Sequence, residues 1–211
     1  MTDTATDLAT AARELDARGL TFAASGNLSL RVDDRVLITP RGAVFGEFTA
    51  DDAIEVAVDG RRLAGERTPS SELPFHLALY RDLGAGAVVH THSHHAVVLS
   101  TLLDEVPILH YAMADFGGPM RVAPYATFGS DDLAAGVVAA LKDRRGALMQ
   151  NHGAVVVADT IAEAVRLAAL LEWSCSVVHD ALMCGTPRQL SAGELEDFAR
   201  QRAAFAYGVL A

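Results

Sequence analysis

Ala87-Val-Val-His-Thr-His-Ser93 is the stretch from which the fold of this 211-residue chain can be read. It is short, apolar and β-branched, and it follows Gly84 and Gly86, which marks a buried strand. Side chains two apart on a strand point to one face, so His90 and His92 project together. Two neutral imidazoles on one rigid element suit zinc or a similar divalent cation. Two ligands do not complete a site, so the rest of the chain must supply more.

Working outward, residues 28–32 and 35–39 read as paired strands around Asp33-Asp34. Residues 54–58 and 61–63 form a hairpin whose Asp59-Gly60 suits a type I′ turn. Ser70 or Ser71 is expected to cap a helix to about residue 83, with Pro69 before it and Pro74 in its first turn. A short helix over residues 95–103 follows the histidine strand, then a strand around Ile108-Leu-His-Tyr111. Ser130 opens a helix to residue 142, and residues 147–150 and 154–157 are strands separated by Asn151-His-Gly153. Thr160-Ile-Ala-Glu163 and Ser191-Ala-Gly-Glu194 read as capping boxes, opening a long helix to about residue 185 and a last one to about residue 207. An amphipathic helix over residues 4–18, stopped by Gly19, begins the chain. Helices alternate irregularly with hairpins, which predicts an α/β fold with an antiparallel or mixed sheet covered by helices. No repeat or linker interrupts it, so residues 1–211 read as one domain.

The net charge of −10 argues against nucleic acid and anionic membranes as partners. It leaves open an anionic small substrate, whose binding local donors decide. Cys175 and Cys184 would lie about 13 Å apart along one helix, too far to bridge, and a reducing cytoplasm is the simplest reading. The N-terminal residues are acidic and polar, unlike a signal peptide, and no apolar run reaches membrane-spanning length.

His152, in Gln150-Asn-His-Gly153, sits at a strand end and is the third candidate ligand. Glu72 is the candidate acid/base, although Pro69-Ser-Ser-Glu72 also reads as an ordinary helix start in which the acid offsets the macrodipole. Ser25-Gly-Asn27, Thr39-Pro-Arg-Gly42 and Ser70-Ser71 each combine turn geometry with donors that could cradle a phosphate.

Taken in order, these segments resemble the class II aldolase/adducin family, and within it the fuculose-phosphate aldolase group. The match runs through Ser-Gly-Asn-Leu-Ser at 25–29, Ile-Thr-Pro-Arg-Gly at 38–42, Ser-Ser-Glu at 70–72 followed by Phe75-His76, and Val-Val-His-Thr-His at 88–92. It continues through His110-Tyr111, Ala-Pro-Tyr-Ala-Thr-Phe-Gly at 123–129 and Gln-Asn-His-Gly at 150–153.

The resemblance implies a three-layer α/β/α fold with a mainly antiparallel sheet, assembled as a homotetramer with sites at subunit interfaces. It implies a lyase that cleaves a phosphorylated ketose to dihydroxyacetone phosphate and an aldehyde through a metal-stabilised enediolate. His90, His92 and His152 then correspond to ligands of Zn2+ or another divalent cation. Glu72 corresponds to the acid/base and possible fourth ligand; acting near neutral pH would require its pKa to be raised. Gly26, Asn27, Gly42, Ser70 and Ser71 correspond to the phosphate pocket. Tyr111 corresponds to a tyrosine that reaches a neighbouring site, and Tyr207 to one in a tail that closes over it. Two positions depart from the aldolase pattern. Arg41 replaces a small hydroxyl residue, and Asp115 falls where related 4-epimerases carry a catalytic aspartate. Epimerisation, decarboxylation and dehydration on the same zinc site therefore stay open, with a non-enzymatic adducin-like scaffold more distant. Against epimerisation, position 72 is glutamate rather than aspartate, and no histidine follows His179.

Overall fold

The histidine-bearing strand, β5 (Ala87–Thr91), is buried along its whole length at the centre of a nine-stranded sheet. The computed structural model describes residues 3–205, and the statements here concern those residues. The sheet runs β4 (Arg62–Ala64), β3 (Ile54–Ala57), β2 (Arg35–Ile38), β1 (Asn27–Val32), β5, β9 (Gly153–Ala158), β8 (Gly146–Met149), β7 (Met120–Ala123) and β6 (Glu105–Val106). Every neighbouring pair is antiparallel except β7 with β8.

Period-two alternation divides the core into two layers. Ala87 and Val89 on β5, with Ala154, Val156 and Ala158 on β9, pack beneath α1 (Asp3–Ala17), α3 (His94–Ser100) and α5 (Ile161–Cys184). Val88, Val155 and Val157 face the other way, toward α2 (Leu73–Leu83) and α4 (Asp131–Leu141). The expected α/β/α layering is present. No described helix is long and apolar enough to cross a membrane. Cys175 is buried, Cys184 is exposed, and both are free.

Several local expectations are corrected. Neither serine caps α2: the Ser70 hydroxyl accepts the Glu72 N–H at 3.2 Å, which places Glu72 at the N-cap and starts the helix at Leu73. No strand forms around Ile108. Strand β6 stops before Pro107, and His110 caps a 3-10 turn over Tyr111–Phe116 by accepting the Ala112 N–H at its Nδ1. The parallel strand β7, which the sequence reading lacked, follows that turn. The β3–β4 connection is not type I′, because only Gly60 takes a positive φ while Asp59 does not. At α5 the Thr160 hydroxyl receives the Glu163 N–H, but the Glu163 carboxylate pairs with Arg145 at 2.7 Å, so the box is half closed. The box at Ser191 is complete and opens α6 (Ala192–Ala204).

Candidate active site and metal centre

His90 occupies the last buried turn of the pleat on the α2 side of the sheet, paired with Asn27 on β1 and Val155 on β9. Its Nδ1 donates to the Ala154 carbonyl at 2.8 Å, which turns Nε2 away from the sheet and toward His92 and His152. His92 stands just beyond the strand end. His152 arrives from the β8–β9 turn, where Asn151 adopts a left-handed φ of 56° and the His152 N–H returns to the Met149 carbonyl. The three ring centroids lie 4.7, 4.9 and 5.0 Å apart with steeply inclined planes. One nitrogen from each ring falls within 4.8 Å of the others.

Glu72 completes the group from the start of α2. Its Oε2 lies 3.2 Å from His90 Nε2, and its Oε1 lies 3.3 Å from His152 Nε2. Asn27 Nδ2 donates to Oε2 at 2.8 Å, whereas Oε1 is buried without a hydrogen bond. An orphaned carboxylate oxygen beside three imidazoles is the donor set a divalent cation requires. The backbone carbonyl on His90 Nδ1 is the outer contact that fixes a ligand's tautomer. The residues fit a metal ion.

Burial, followed by the neighbouring imidazoles, pushes His92 down to about 3; His152 falls to about 4 through burial and His90. Both rings are thus neutral and ready to ligate at neutral pH. Burial also opposes charge on Glu72, but His90, His152 and the Asn27 amide outweigh it and hold the carboxyl below the usual range. His90 moves the opposite way: burial disfavours its charge, but Glu72 raises its pKa. The raised pKa that an acid/base near neutral pH would require is not what this setting gives: the pull of His90 and His152 and the Asn27 hydrogen bond outweigh burial.

The phosphate-pocket candidates converge on the same cleft, about 720 Å³ in volume. Ser70 N–H donates to the Thr39 carbonyl, Arg41 N–H to Thr68, and Pro40 bridges Pro69, so residues 39–42 lie against 68–71. Gly26, Asn27, Gly42, Ser70 and Ser71 line the cleft together with Glu72, His92 and His152. A side chain at Gly26 would place its β-carbon 2.8 Å from the His90 carbonyl oxygen. Arg41 also lines this cleft and is exposed.

Tyr111 and Asp115 are not among the cleft's lining residues. Tyr111 is half exposed and packs between His110 and Phe198. Asp115 is clamped between Arg166 at 3.0 Å and Arg202 at 2.6 Å, tying α6 to α5 and the 3-10 turn. Tyr207 lies outside the described residues.

Sequence reading passed over two sets of neighbours. Tyr125 and Phe128 form an exposed aromatic wall of the cleft. Ser29, His76 and Tyr80 form a buried polar chain behind Asn27. Its signal was present as two interlocking periods: Asn27 and Ser29 share a strand face, while Glu72, His76 and Tyr80 recur every four residues along a helix.

Residues 6–179 match the family model described as the class II aldolase and adducin N-terminal domain. The chain is 35% identical over 192 residues to a 5-deoxy-D-ribulose 1-phosphate aldolase of Bacillus thuringiensis serovar kurstaki, covering 90% of each chain. It is 37% identical over 161 residues to the L-fuculose phosphate aldolase of Escherichia coli K12, covering 75% of this chain and 74% of that one. A solved L-fuculose 1-phosphate aldolase superposes with a TM-score of 0.91 at 32% identity, covering 96% of this chain and 97% of the other.

Proposed function

The chain belongs to the class II aldolase and adducin family, and from that premise we propose that it cleaves a ketose 1-phosphate to dihydroxyacetone phosphate and an aldehyde, using zinc. It is an aldolase of the fuculose-phosphate and deoxyribulose-phosphate type, from a metal-dependent lyase family. The observation that carries the proposal is the meeting of His90, His92 and His152 with the Glu72 carboxylate, where His92, His152 and Glu72 line the cleft and His90 lies buried behind them.

His90, His92 and His152 would hold the cation, with Glu72 as a fourth ligand before substrate enters. When bound, the cation supplies the positive charge that an enediolate requires. Gly26, Asn27, Gly42, Ser70 and Ser71 would anchor the phosphate and orient the reacting carbon, with Arg41 at the rim adding charge. In the condensation direction, the Glu72 carboxylate removes a proton from the hydroxylated carbon of dihydroxyacetone phosphate. The freed electron pair forms the bond to the aldehyde carbon, and the aldehyde oxygen takes a proton from Tyr111 of the partner subunit. Cleavage reverses each transfer. The lowered pKa of Glu72 keeps its carboxylate ionised and able to accept a proton. Tyr207 would join when the tail closes.

A homotetramer with shared sites is part of the proposal, supported by the exposure of Tyr111 away from its own chain's cleft. The two free cysteines support a reducing cytoplasm. Asp115 is occupied by two arginines, which favours cleavage over epimerisation.

Incubation with a panel of phosphorylated ketoses and sugar acids, with products identified directly, tests the proposal. Dihydroxyacetone phosphate release is expected. Carbon dioxide, loss of water or stereochemical inversion in its place would assign another reaction to the site.

A further inference from the structure

Behind the candidate base runs an unbroken line of buried polar contacts that ends in the hydrophobic layer under α2. Tyr80 Oη lies 2.5 Å from Ser29 Oγ, and Ser29 Oγ lies 2.6 Å from His76 Nδ1. His76 Nε2 lies 2.5 Å from Asn27 Oδ1, and Asn27 Nδ2 lies 2.8 Å from Glu72 Oε2. Ser29 and His76 are fully buried, and Asn27 and Tyr80 nearly so.

Only one arrangement of hydrogens satisfies the whole line. An ionised Glu72 can only accept, so Asn27 must turn its NH2 toward the carboxylate and its carbonyl toward His76. His76 must then donate from Nε2. Burial pushes His76 down to about 3, so the ring is neutral and its Nδ1 is an acceptor. Ser29 has to donate to that nitrogen, which leaves its oxygen to accept from the Tyr80 hydroxyl. Reversing the tautomer would flip the Asn27 amide and bring its carbonyl oxygen against the Glu72 carboxylate.

We propose that Tyr80, Ser29 and His76 are positioning residues that fix the direction of the Asn27 amide, so that Glu72 always meets a donor. The role of Glu72 itself rests on the reading in the previous subsection. None of the three touches substrate. They act through a hydrogen-bond direction set at the far end of the line.

The direct test is long-range 15N–1H correlation on the full-length, metal-loaded protein with labelled histidine, the His76 signal being assigned by its loss in His76→Gln. A neutral ring protonated at Nε2 is expected; protonation at Nδ1, or an imidazolium at neutral pH, would overturn the relay. A second measurement compares His76→Gln, whose amide can still donate to Asn27, with His76→Leu, which fills the space but cannot. With any ketose phosphate the wild type cleaves, His76→Leu should lower kcat by at least about tenfold with KM within about twofold. His76→Gln should recover most of the loss; equal kcat values for the two variants would leave only packing. Should the wild type cleave no ketose phosphate, the functional reading fails while the tautomer measurement still decides the relay.

Discussion

Gly153 lies so close to Thr91 that a β-carbon on it would sit 2.4 Å from the Thr91 carbonyl oxygen and 3.3 Å from both the His90 and His92 rings. The missing side chain is what lets the β8–β9 turn deliver His152 to the other two imidazoles. Gly153→Ala should therefore part the strands locally, costing about 1–3 kcal/mol. Denaturant midpoints and zinc titration should fall together. A variant that keeps full stability and full zinc affinity would show that the approach is not needed.

His92→Ala removes one of three converging nitrogens without touching the sheet, since His92 lies just past β5. Its zinc affinity should drop by at least about 100-fold, because loss of a ligand exceeds the usual cost of losing a ligand's support. Elemental analysis after dialysis reads this directly; undiminished metal would move the site elsewhere.

Glu72→Gln keeps the shape of the buried side chain but removes the charge shared with His90 and His152. Turnover should fall by about 10² to 10⁴ with the fold retained. Mixed with Tyr111→Phe subunits, it should regain part of the activity if Tyr111 serves a partner's cleft. Complete failure of exchanged mixtures to recover any would disprove a shared site.

Asp115→Asn discharges the carboxylate between Arg166 and Arg202 and leaves two further Arg166 nitrogens, already without hydrogen-bond partners, less compensated. A loss of about 1–3 kcal/mol is expected, with faster amide exchange across α6. The products should stay the same. A change of reaction type would instead make Asp115 part of the chemistry.

His76 is fully buried and pushed down to about 3 by that burial, so the unfolded chain binds its proton first as pH falls. Below about pH 6.5 this group therefore costs stability at about 1.4 kcal/mol per pH unit, until the folded ring protonates. Unfolding curves from pH 7 to 4 should be steeper in pH for the wild type than for His76→Gln. Parallel curves would mean that the folded ring titrates as it does in the unfolded chain.

Much of this was legible in the sequence because its signals are local. The β-branched run at 87–91 gave the central strand, and Ser191-Ala-Gly-Glu194 gave a closed capping box. Ile108-Leu-His-Tyr111 misled because strand propensity lost to Pro107 and to the His110 cap. Glu163 misled because its partner, Arg145, is remote in sequence and invisible to a local motif. The line from Tyr80 to Glu72 escaped notice for the same reason: it exists only once β1 and α2 are packed together.

The rings and the carboxylate hang from strand ends, a tight turn and a helix start, whereas Arg41, Tyr125 and Phe128 stand exposed at the rim of the cleft. Exposed side chains contribute little to folding, so these three positions are free to vary without loosening the molecule. A combinatorial library confined to them would test how far these rim side chains set substrate preference.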